Sequence, residues 1–312
     1  MVGELNYGAS IPQEVLLNMQ KTILVFQQRF KDGYIGRSLV EQRPGVSATV
    51  RKDIVRKIDK TAAQDGISTA RLSLGGTAPD VVGSKAKDVL FPIYRIDNAI
   101  LMNEAELQLD PTAWNRNVSI AMMECQRREN YTIINGNTTF GLTGLVGAAT
   151  ANSLGSIVAS GGDGIITINN NGAWDGSETS KTMDPYDDIR AALNFIDPEL
   201  TGTLFLAGRP AYMNYLLQED DLGKIYSDKI GTRIFGKQAT DLSWMIRSDY
   251  FPAGYVYLVM KSMQAAELVI PEDYNVDANY PRQPGQNQYA EIGGWIGIEI
   301  HTNNFIVPIA IT

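Results

Sequence analysis

The sequence predicts an α+β fold, and three features lead to this prediction. A long amphipathic helix is expected near the middle of the chain, at about residues 111–131. Helices alternate with short strands over residues 185–262, and two regularly patterned strands end the chain. Helical and strand-like periodicities therefore both occur, in different segments of the chain.

The first predicted helix covers residues 10–30. Its apolar residues recur at spacings of three and four, which builds one apolar face, and Leu16, Leu17 and Leu24 widen that face. The face has two interpretations: it belongs to the core of its own chain, or it packs against a neighbouring copy. The residues that define it are Val15, Met19, Ile23, Phe26 and Phe30.

A two-stranded segment is predicted next, with strands at Val46 to Ile58 and Ile67 to Leu74 around the turn signal Asp65-Gly66. Two strands with little apolar mass are not stable alone in water, so a neighbour is expected. A further strand is predicted at residues 89–96, where Pro92 indicates an edge or a bulge. The cations of the segment, interpreted as a solvated surface or as subunit contacts, are Arg51, Lys52, Arg56, Lys57, Lys60 and Arg71.

The long helix has clear start signals and one apolar stripe. Asp110 is a good N-cap, and Pro111 occupies the first helical position, where its missing N–H costs nothing. The opposite face is rich in Asn, Arg and Glu. The stripe consists of Trp114, Val118, Ala121, Met122 and Cys125.

A loop punctuated by glycines is predicted after this helix. Asn135-Gly136 is a turn or C-cap signal, and Gly141 and Gly144 place permissive residues around Leu142 and Leu145. Neither the helix nor the loop contains a catalytic group, which indicates a structural role.

A compact lobe is predicted over residues 185–262. Asp184-Pro185 signals a helix start, Thr203 to Ala207 reads as a buried strand, and Ala211 to Gln218 reads as a helix. Further strands are expected at Arg233 to Gly236 and Tyr255 to Met260. An acidic loop is expected within the lobe at Glu219, Asp220, Asp221 and Gly223.

The C-terminal segment shows strand periodicity twice. Its two apolar faces are separated by a turn at residues 302–304. We expect both strands to join Ala265 to Ile270 in a domain beneath the long helix. The two faces are formed by Ile292, Ile296, Ile298 and Ile300, and by Phe305, Val307, Ile309 and Ile311.

The order of these elements resembles a known family. The long helix, the acidic Glu129, the run Ile133-Ile134-Asn135-Gly136 and the run Gly141 to Leu145 are similar to the spine helix and following loop of the Hong Kong 97 phage capsid fold. Major capsid proteins of tailed viruses and encapsulins, which are protein nanocompartments, share that fold.

The resemblance implies a name and a role for each segment. Residues 1–33 would be an N-terminal arm or helix, 34–97 the E-loop hairpin with its flanking strands, 98–184 the peripheral domain with the spine helix, 185–262 the axial domain, and 263–312 strands returning to the peripheral domain. The E-loop cations, the first helix and the acidic loop would then be subunit contacts.

Composition limits the function classes. The 312 residues carry a formal net charge of −8, which argues against a protein that grips phosphates but is compatible with a container. Cys125 is the only cysteine, so no intrachain disulfide forms and intracellular folding is expected. No run approaches a membrane span and the first ten residues do not resemble a signal peptide, so no membrane partner is expected.

No enzyme chemistry is indicated. His301 is the only histidine and no G-x-S-x-G elbow accompanies it. One histidine and one cysteine do not supply a usual zinc site, and the glycines at residues 161–164 lack the lysine of a phosphate loop. We therefore expect no catalytic, metal or cofactor residues.

The resemblance to this family implies a major capsid protein that assembles into an icosahedral virion shell in the host cytoplasm. Expected partners are other copies of the chain, as pentamers and, in a larger shell, hexamers, together with double-stranded DNA bound without sequence specificity. Scaffolding, portal and decoration proteins are further candidates. Two alternatives stay open. An encapsulin is suggested by the run Gly36 to Glu41, and a soluble α+β enzyme or binding module is the other.

Overall fold

The computed structural model describes residues 13–29, 33–44, 52–58, 86–102, 113–152, 174, 184–220, 222–277 and 288–311. Short 3₁₀ turns cover Thr138–Phe140, Leu193–Phe195 and Asn214–Leu217. The helices are α1 Gln13–Arg29, α2 Ile35–Leu39, α3 Ala113–Asn135, α4 Leu145–Thr150, α5 Pro185–Ala192, α6 Pro210–Met213 and α7 Tyr226–Arg233. The strands are β1 Glu41–Pro44, β2 Lys52–Ile58, β3 Ala86–Pro92, β4 Tyr94–Met102, β5 Gly136–Asn137, β6 Leu142–Thr143, β7 Thr203–Gly208, β8 Met245–Arg247, β9 Tyr255–Lys261, β10 Ala266–Asp277, β11 Gln288–Ile300 and β12 Ile306–Ala310.

The long helix α3 is confirmed and extends beyond its predicted end. It runs to Asn135 rather than 131, and Gly136 follows it with a φ of 74°, the left-handed conformation that commonly ends helices. The predicted stripe is buried, except that Trp114 has a side chain outside the described set. The buried members are Val118, Ala121, Met122 and Cys125.

Sheet 1 lies beneath α3 and has the strand order β1-β10-β11-β4. The strands β10, β11 and β4 pair antiparallel, whereas β1 runs parallel to β10. The predicted face of β11 is largely buried. Ile292 and Ile296 pack with the stripe of α3, and Ile298 packs in a core that also contains Ile133 of α3.

Sheet 2 has the order β12-β9-β7-β8 and forms the lobe. The prediction that both C-terminal strands return to the peripheral domain is wrong for β12, which pairs antiparallel with β9 in sheet 2. Periodicity did not show this, because β12 is buried on both faces: Ile306 packs between the two sheets, and Val307 and Ile309 pack under the lobe helices.

Two further predictions in the lobe need correction. The strand expected at residues 233–236 is wrong, because α7 runs to Arg233 and Gly236 adopts a φ of 63° after it. Phe235, within that stretch, stacks on Trp244 with ring centroids 4.4 Å apart. The helix expected at 211–218 is confirmed as α6 followed by a 3₁₀ turn, whereas β8 was not predicted.

The hairpin exists, but its return strand differs from the prediction. β2 pairs antiparallel with β3, from Lys52 opposite Pro92 to Ile58 opposite Ala86, as a two-stranded sheet of its own. The predicted strand at Ile67 to Leu74 lies outside the described residues. The predicted strand at 89–96 divides between β3 and β4, with Ile93 between them.

The first helix is confirmed as α1, and its apolar face lies in the core of its own chain. Met19, Ile23 and Phe26 pack with α3 and sheet 1, so the expectation that they contact a neighbouring subunit is wrong. Leu17 and Leu24 do not widen this face, since both are exposed. Val15 lies outside the described side chains. Among the described residues, no helix is long and apolar enough to cross a bilayer.

Candidate functional site

The glycine loop after α3 is built by close backbone contact. Gly136 in β5 pairs with Thr143 in β6, which returns the chain beside the end of the helix. A Cβ on Gly144 would lie 2.1 Å from the nitrogen of Gly136, and one on Gly136 would lie 2.5 Å from the nitrogen of Gly144. Because both clashes involve backbone atoms, side-chain rotation does not relieve them. The predicted Gly136 and Gly144 are therefore required by geometry.

Polar side chains hold this loop to the rest of the chain. Asn135 donates from Nδ2 to the carbonyl of Tyr250 at 3.0 Å, and Asn137 accepts from the backbone nitrogen of Thr139 at 3.1 Å. Gly141 ends the following 3₁₀ turn with a φ of 70°. The bond from Asn135 to Tyr250 joins the end of α3 to the lobe, and α4 begins directly after Gly144.

Arg37 forms a buried ionic junction between α2, α3 and β10. Its guanidinium pairs with Glu129 through Nε–Oε1 at 2.5 Å and Nη2–Oε2 at 2.9 Å. It also pairs with Asp273 at 3.0 Å, and the Tyr274 hydroxyl donates to Glu129 at 2.8 Å. The guanidinium lies 4.4 Å from the ring centre of Tyr34. The segment that leads into the hairpin is thus tied to the spine helix.

A second contact beside Arg37 fixes the same segment. The side chain of Asn130 accepts from the nitrogen of Gly36 at 3.0 Å and donates to the carbonyl of Gly33 at 2.6 Å. A Cβ on Gly36 would lie 2.7 Å from the Ile133 side chain. The backbone at Gly36 therefore lies directly against α3.

Burial and charge shift the pKa values of this junction. Burial alone would lower the pKa of Arg37, but hydrogen bonds and the charge of Glu129 raise it above the ordinary value. Burial, followed by the charge of Glu129, raises the pKa of Tyr274 well above its usual range. Burial also raises the pKa of the Cys125 thiol to about 12, so this cysteine stays a protonated core residue at neutral pH.

Sequence analysis did not find this junction. Glu129 entered only as part of the family resemblance, and Arg37 only as part of a motif run. Arg37 lies 92 residues from Glu129 and 236 residues from Asp273, so no local pattern joins them. The nearest signal in the sequence is the glycine pair at residues 33 and 36, which permits close packing.

The acidic loop of the lobe is a tight turn. Asp220 accepts backbone hydrogen bonds from Leu222 at 2.9 Å and Lys224 at 2.8 Å, and the Lys224 bond is the main cause that lowers the pKa of Asp220. Gly223 adopts a φ of 70°, and the side chain of Leu222 is 82% exposed at the tip. Glu219 bridges to Ile225, whereas Asp221 lies outside the described residues.

Exposed apolar residues lie on the two helices α1 and α3. On α1 they are Leu17, Leu24 and Val25, on the side opposite the core. On α3 they include Ile120, Met123 and Tyr131. The helices meet near Thr22, whose hydroxyl donates to Asn115 at 3.1 Å. These residues are apolar surface that a neighbouring molecule could cover.

The predicted E-loop cations are only partly placed. Lys52, Arg56 and Lys57 belong to β2, although their side chains are outside the described set. Arg51, Lys60 and Arg71 lie outside the described residues. Their role as subunit contacts therefore stays a prediction.

His301 follows β11 directly and faces an acidic pair. Its Nδ1 lies 3.2 Å from Oε1 of Glu299, and Glu267 offers a third ligand atom, so that all three lie within 4.8 Å of one another. The sequence predicted neither carboxylate as a neighbour of the histidine.

No family model matches the sequence, and no curated protein matches it. Solved structures are similar in fold. A virus-like particle from Pyrococcus furiosus is 15% identical, with a TM-score of 0.56 over 95% of this chain and 99% of that chain. The capsid of a native GTA particle, computed with C5 symmetry, is 12% identical, with a TM-score of 0.59 over 90% of both chains. The holo-SrpI encapsulin complex from Synechococcus elongatus PCC 7942 is 12% identical, with a TM-score of 0.51 over 88% of this chain and 85% of that chain.

The matched proteins include capsid and encapsulin chains, and the similarity extends over nearly the whole length of each. The hairpin, the long helix and the glycine loop follow one another along the chain in the order that the sequence predicted, whereas β12 joins sheet 2 instead of sheet 1. The chain has the Hong Kong 97 capsid fold.

Proposed function

We propose that this chain is the major capsid protein of a tailed virus, which assembles into an icosahedral shell around double-stranded DNA. The observation that carries the proposal is the similarity to capsid chains over about nine-tenths of both molecules, as with the GTA capsid at 90% of each. A match of that extent leaves only about a tenth of each chain outside the shared fold. The proposed role is structural, not catalytic.

Assembly would use three surfaces. The β2–β3 hairpin would lie across a neighbour, because two strands in a sheet of their own gain little stability in water. The turn at residues 219–225 would face copies of itself around local symmetry axes, with Leu222 at the tip. The exposed side of α1, with Leu24 and Val25, would pack against an adjoining subunit.

The partners follow from charge and symmetry. Copies of the chain would form pentamers, and hexamers in a larger shell. DNA would be enclosed without sequence recognition, since a net charge of −8 does not favour tight phosphate binding. Scaffolding, portal and decoration proteins are proposed as additional partners, and assembly is proposed to occur in the host cytoplasm.

A second function, an encapsulin shell around cargo enzymes, has its own support. The SrpI encapsulin has the same fold over 88% of this chain. The run from Gly36 to Glu41, which resembles the start of encapsulins, overlaps α2 and includes the junction residue Arg37. The two functions share shell assembly and differ in what the shell contains.

Particle contents distinguish these functions. Particles that contain the chain are isolated from the native source by ultracentrifugation and imaged by electron microscopy. A capsid gives closed shells with the ultraviolet absorbance ratio of nucleic acid, whereas an encapsulin gives closed shells with a second, enzymatic polypeptide. A chain that stays monomeric at high concentration contradicts both and favours a soluble binding module.

A further inference from the structure

Three potential metal ligands meet where β10 and β11 run side by side. Glu267 lies directly opposite Glu299 in the antiparallel register, and His301 follows two residues after Glu299. The backbone nitrogen of His301 donates to the carbonyl of Ala265 at 2.8 Å, which holds the end of β11 against β10. The neighbouring Leu268 and Ile298 belong to the core, so the three ligands lie on the opposite face of sheet 1.

The buried carboxylate of Glu299 is poorly compensated. Like charges directly opposite each other in a sheet repel. Arg43 compensates Glu267, with Nη1 lying 3.2 Å from Oε2. The side chain of Glu299 is only 3% exposed, and neither of its oxygens accepts a hydrogen bond within the described part of the chain. A buried carboxylate without hydrogen bonds is costly, so this position favours a bound cation.

We propose that Glu267, Glu299 and His301 bind a divalent transition-metal ion of the Zn²⁺ type. One imidazole and two carboxylates are a donor set that such ions accept, with water completing the coordination. Metal–ligand bonds of about 2.1 Å allow ligand atoms to lie up to about 4.2 Å apart. The three ligand atoms are within 4.8 Å of one another before any ion is bound, so small side-chain rotations suffice.

The ion would have a structural role, because it would cross-link two strands. It would join the end of β11 to β10 at the point where the chain leaves sheet 1 for β12 in sheet 2. Arg43 pairs with Oε2 of Glu267, and a carboxylate has a second oxygen that can bind an ion. The sequence expectation against a zinc site counted only cysteine and histidine, whereas strand register supplies the two carboxylates.

The test uses the purified full-length chain, stripped with EDTA and dialysed. Zn²⁺ binding is measured by titration calorimetry, bound metal by mass spectrometry, and the melting temperature by scanning calorimetry with and without Zn²⁺. We expect one Zn²⁺ per chain and a higher melting temperature when it is bound. Glu299→Gln should weaken binding at least about tenfold and abolish the rise in melting temperature.

Two variants complete the design. Glu124→Gln, on the exposed side of α3, removes a carboxylate away from the cluster and should behave as the unmodified chain does. His301→Asn repeats the test if Glu299→Gln does not fold. The proposal is overturned if no Zn²⁺ binds at one equivalent, or if the variants of Glu299 and His301 bind it as well as the control. His301 would then serve only as an ion-pair partner of Glu299. The outcome does not depend on whether the chain forms shells.

Discussion

Arg37 joins α2 to the long helix α3 through a buried ion pair. Its partner Glu129 is 0% exposed, so removal of the guanidinium leaves a buried carboxylate that still accepts a hydrogen bond from the Tyr274 hydroxyl but has lost its cation. We expect Arg37→Met to lower the free energy of unfolding by about 3–5 kcal/mol. Chemical denaturation followed by tryptophan fluorescence measures the change.

Arg127→Met is the matched control for this prediction. Arg127 pairs with Glu124 at 2.6 Å on the exposed side of the same helix, where solvent screens the charges. Its replacement should change stability by about 0–1 kcal/mol. Equal effects of the two substitutions would show that the buried junction does not stabilise the fold.

The glycine pair at the end of the spine helix gives a second test. Gly144→Ala places a methyl group 2.1 Å from a backbone nitrogen, so the loop must move and little folded protein is expected. A Cβ at Gly141 has no atom within 4 Å. Gly141→Ala should therefore lower the free energy of unfolding only through the left-handed backbone that alanine must adopt, by about 1–2 kcal/mol. Yield of soluble protein and its melting temperature separate the two. A stable Gly144→Ala chain contradicts the close backbone contact.

At the scale of elements, two adjacent residues of α1 lie on opposite sides of the helix, one in the core and one on the surface. Ile23 is buried against α3, whereas Leu24 is 57% exposed. Ile23→Ala should destabilise the chain by about 2–5 kcal/mol, and Leu24→Ala by no more than about 0.5 kcal/mol. Thermal unfolding of both variants measures this. Similar losses would mean that the outer side of α1 is also covered within the chain.

The turn at residues 219–225 should depend on a single carboxylate. Asp220→Ala removes the acceptor for two backbone nitrogens, so trypsin should cleave faster after Lys224. Asp241→Ala, which removes a similar contact to Ser243, should leave that cleavage unchanged. Because the folded pKa of Asp220 is lowered, its contribution is complete above the ordinary carboxyl range and is lost as the pH falls through the lowered value. Unchanged cleavage after Lys224 would contradict this role.

Sequence patterns identified elements better than they identified partners. The stripe of α3 and the glycine loop were predictable because periodicity and backbone constraints act locally. The placement of β12 in sheet 2 was not, since a strand buried on both faces shows no side preference for one sheet. The buried junction of Arg37 and the acidic pair Glu267 and Glu299 were also not predicted. Contacts between paired strands, or between residues 92 positions apart, leave no local pattern in the sequence.

At the scale of the whole molecule, the hairpin and the rest of the subunit differ in what stabilises them. The spine, both sheets and α1 share continuous cores, which is sufficient for a folded subunit. The β2–β3 hairpin forms a separate two-stranded sheet. We therefore expect the body to fold by itself and the hairpin to gain its stability from a neighbour.

A cryo-electron microscopy reconstruction of the purified particles tests this expectation most directly. We expect a closed icosahedral shell in which Lys52–Ile58 and Ala86–Pro92 of each subunit lie on the adjacent subunit. Particles that never form, or a hairpin packed wholly on its own subunit within a shell, would contradict the proposed assembly.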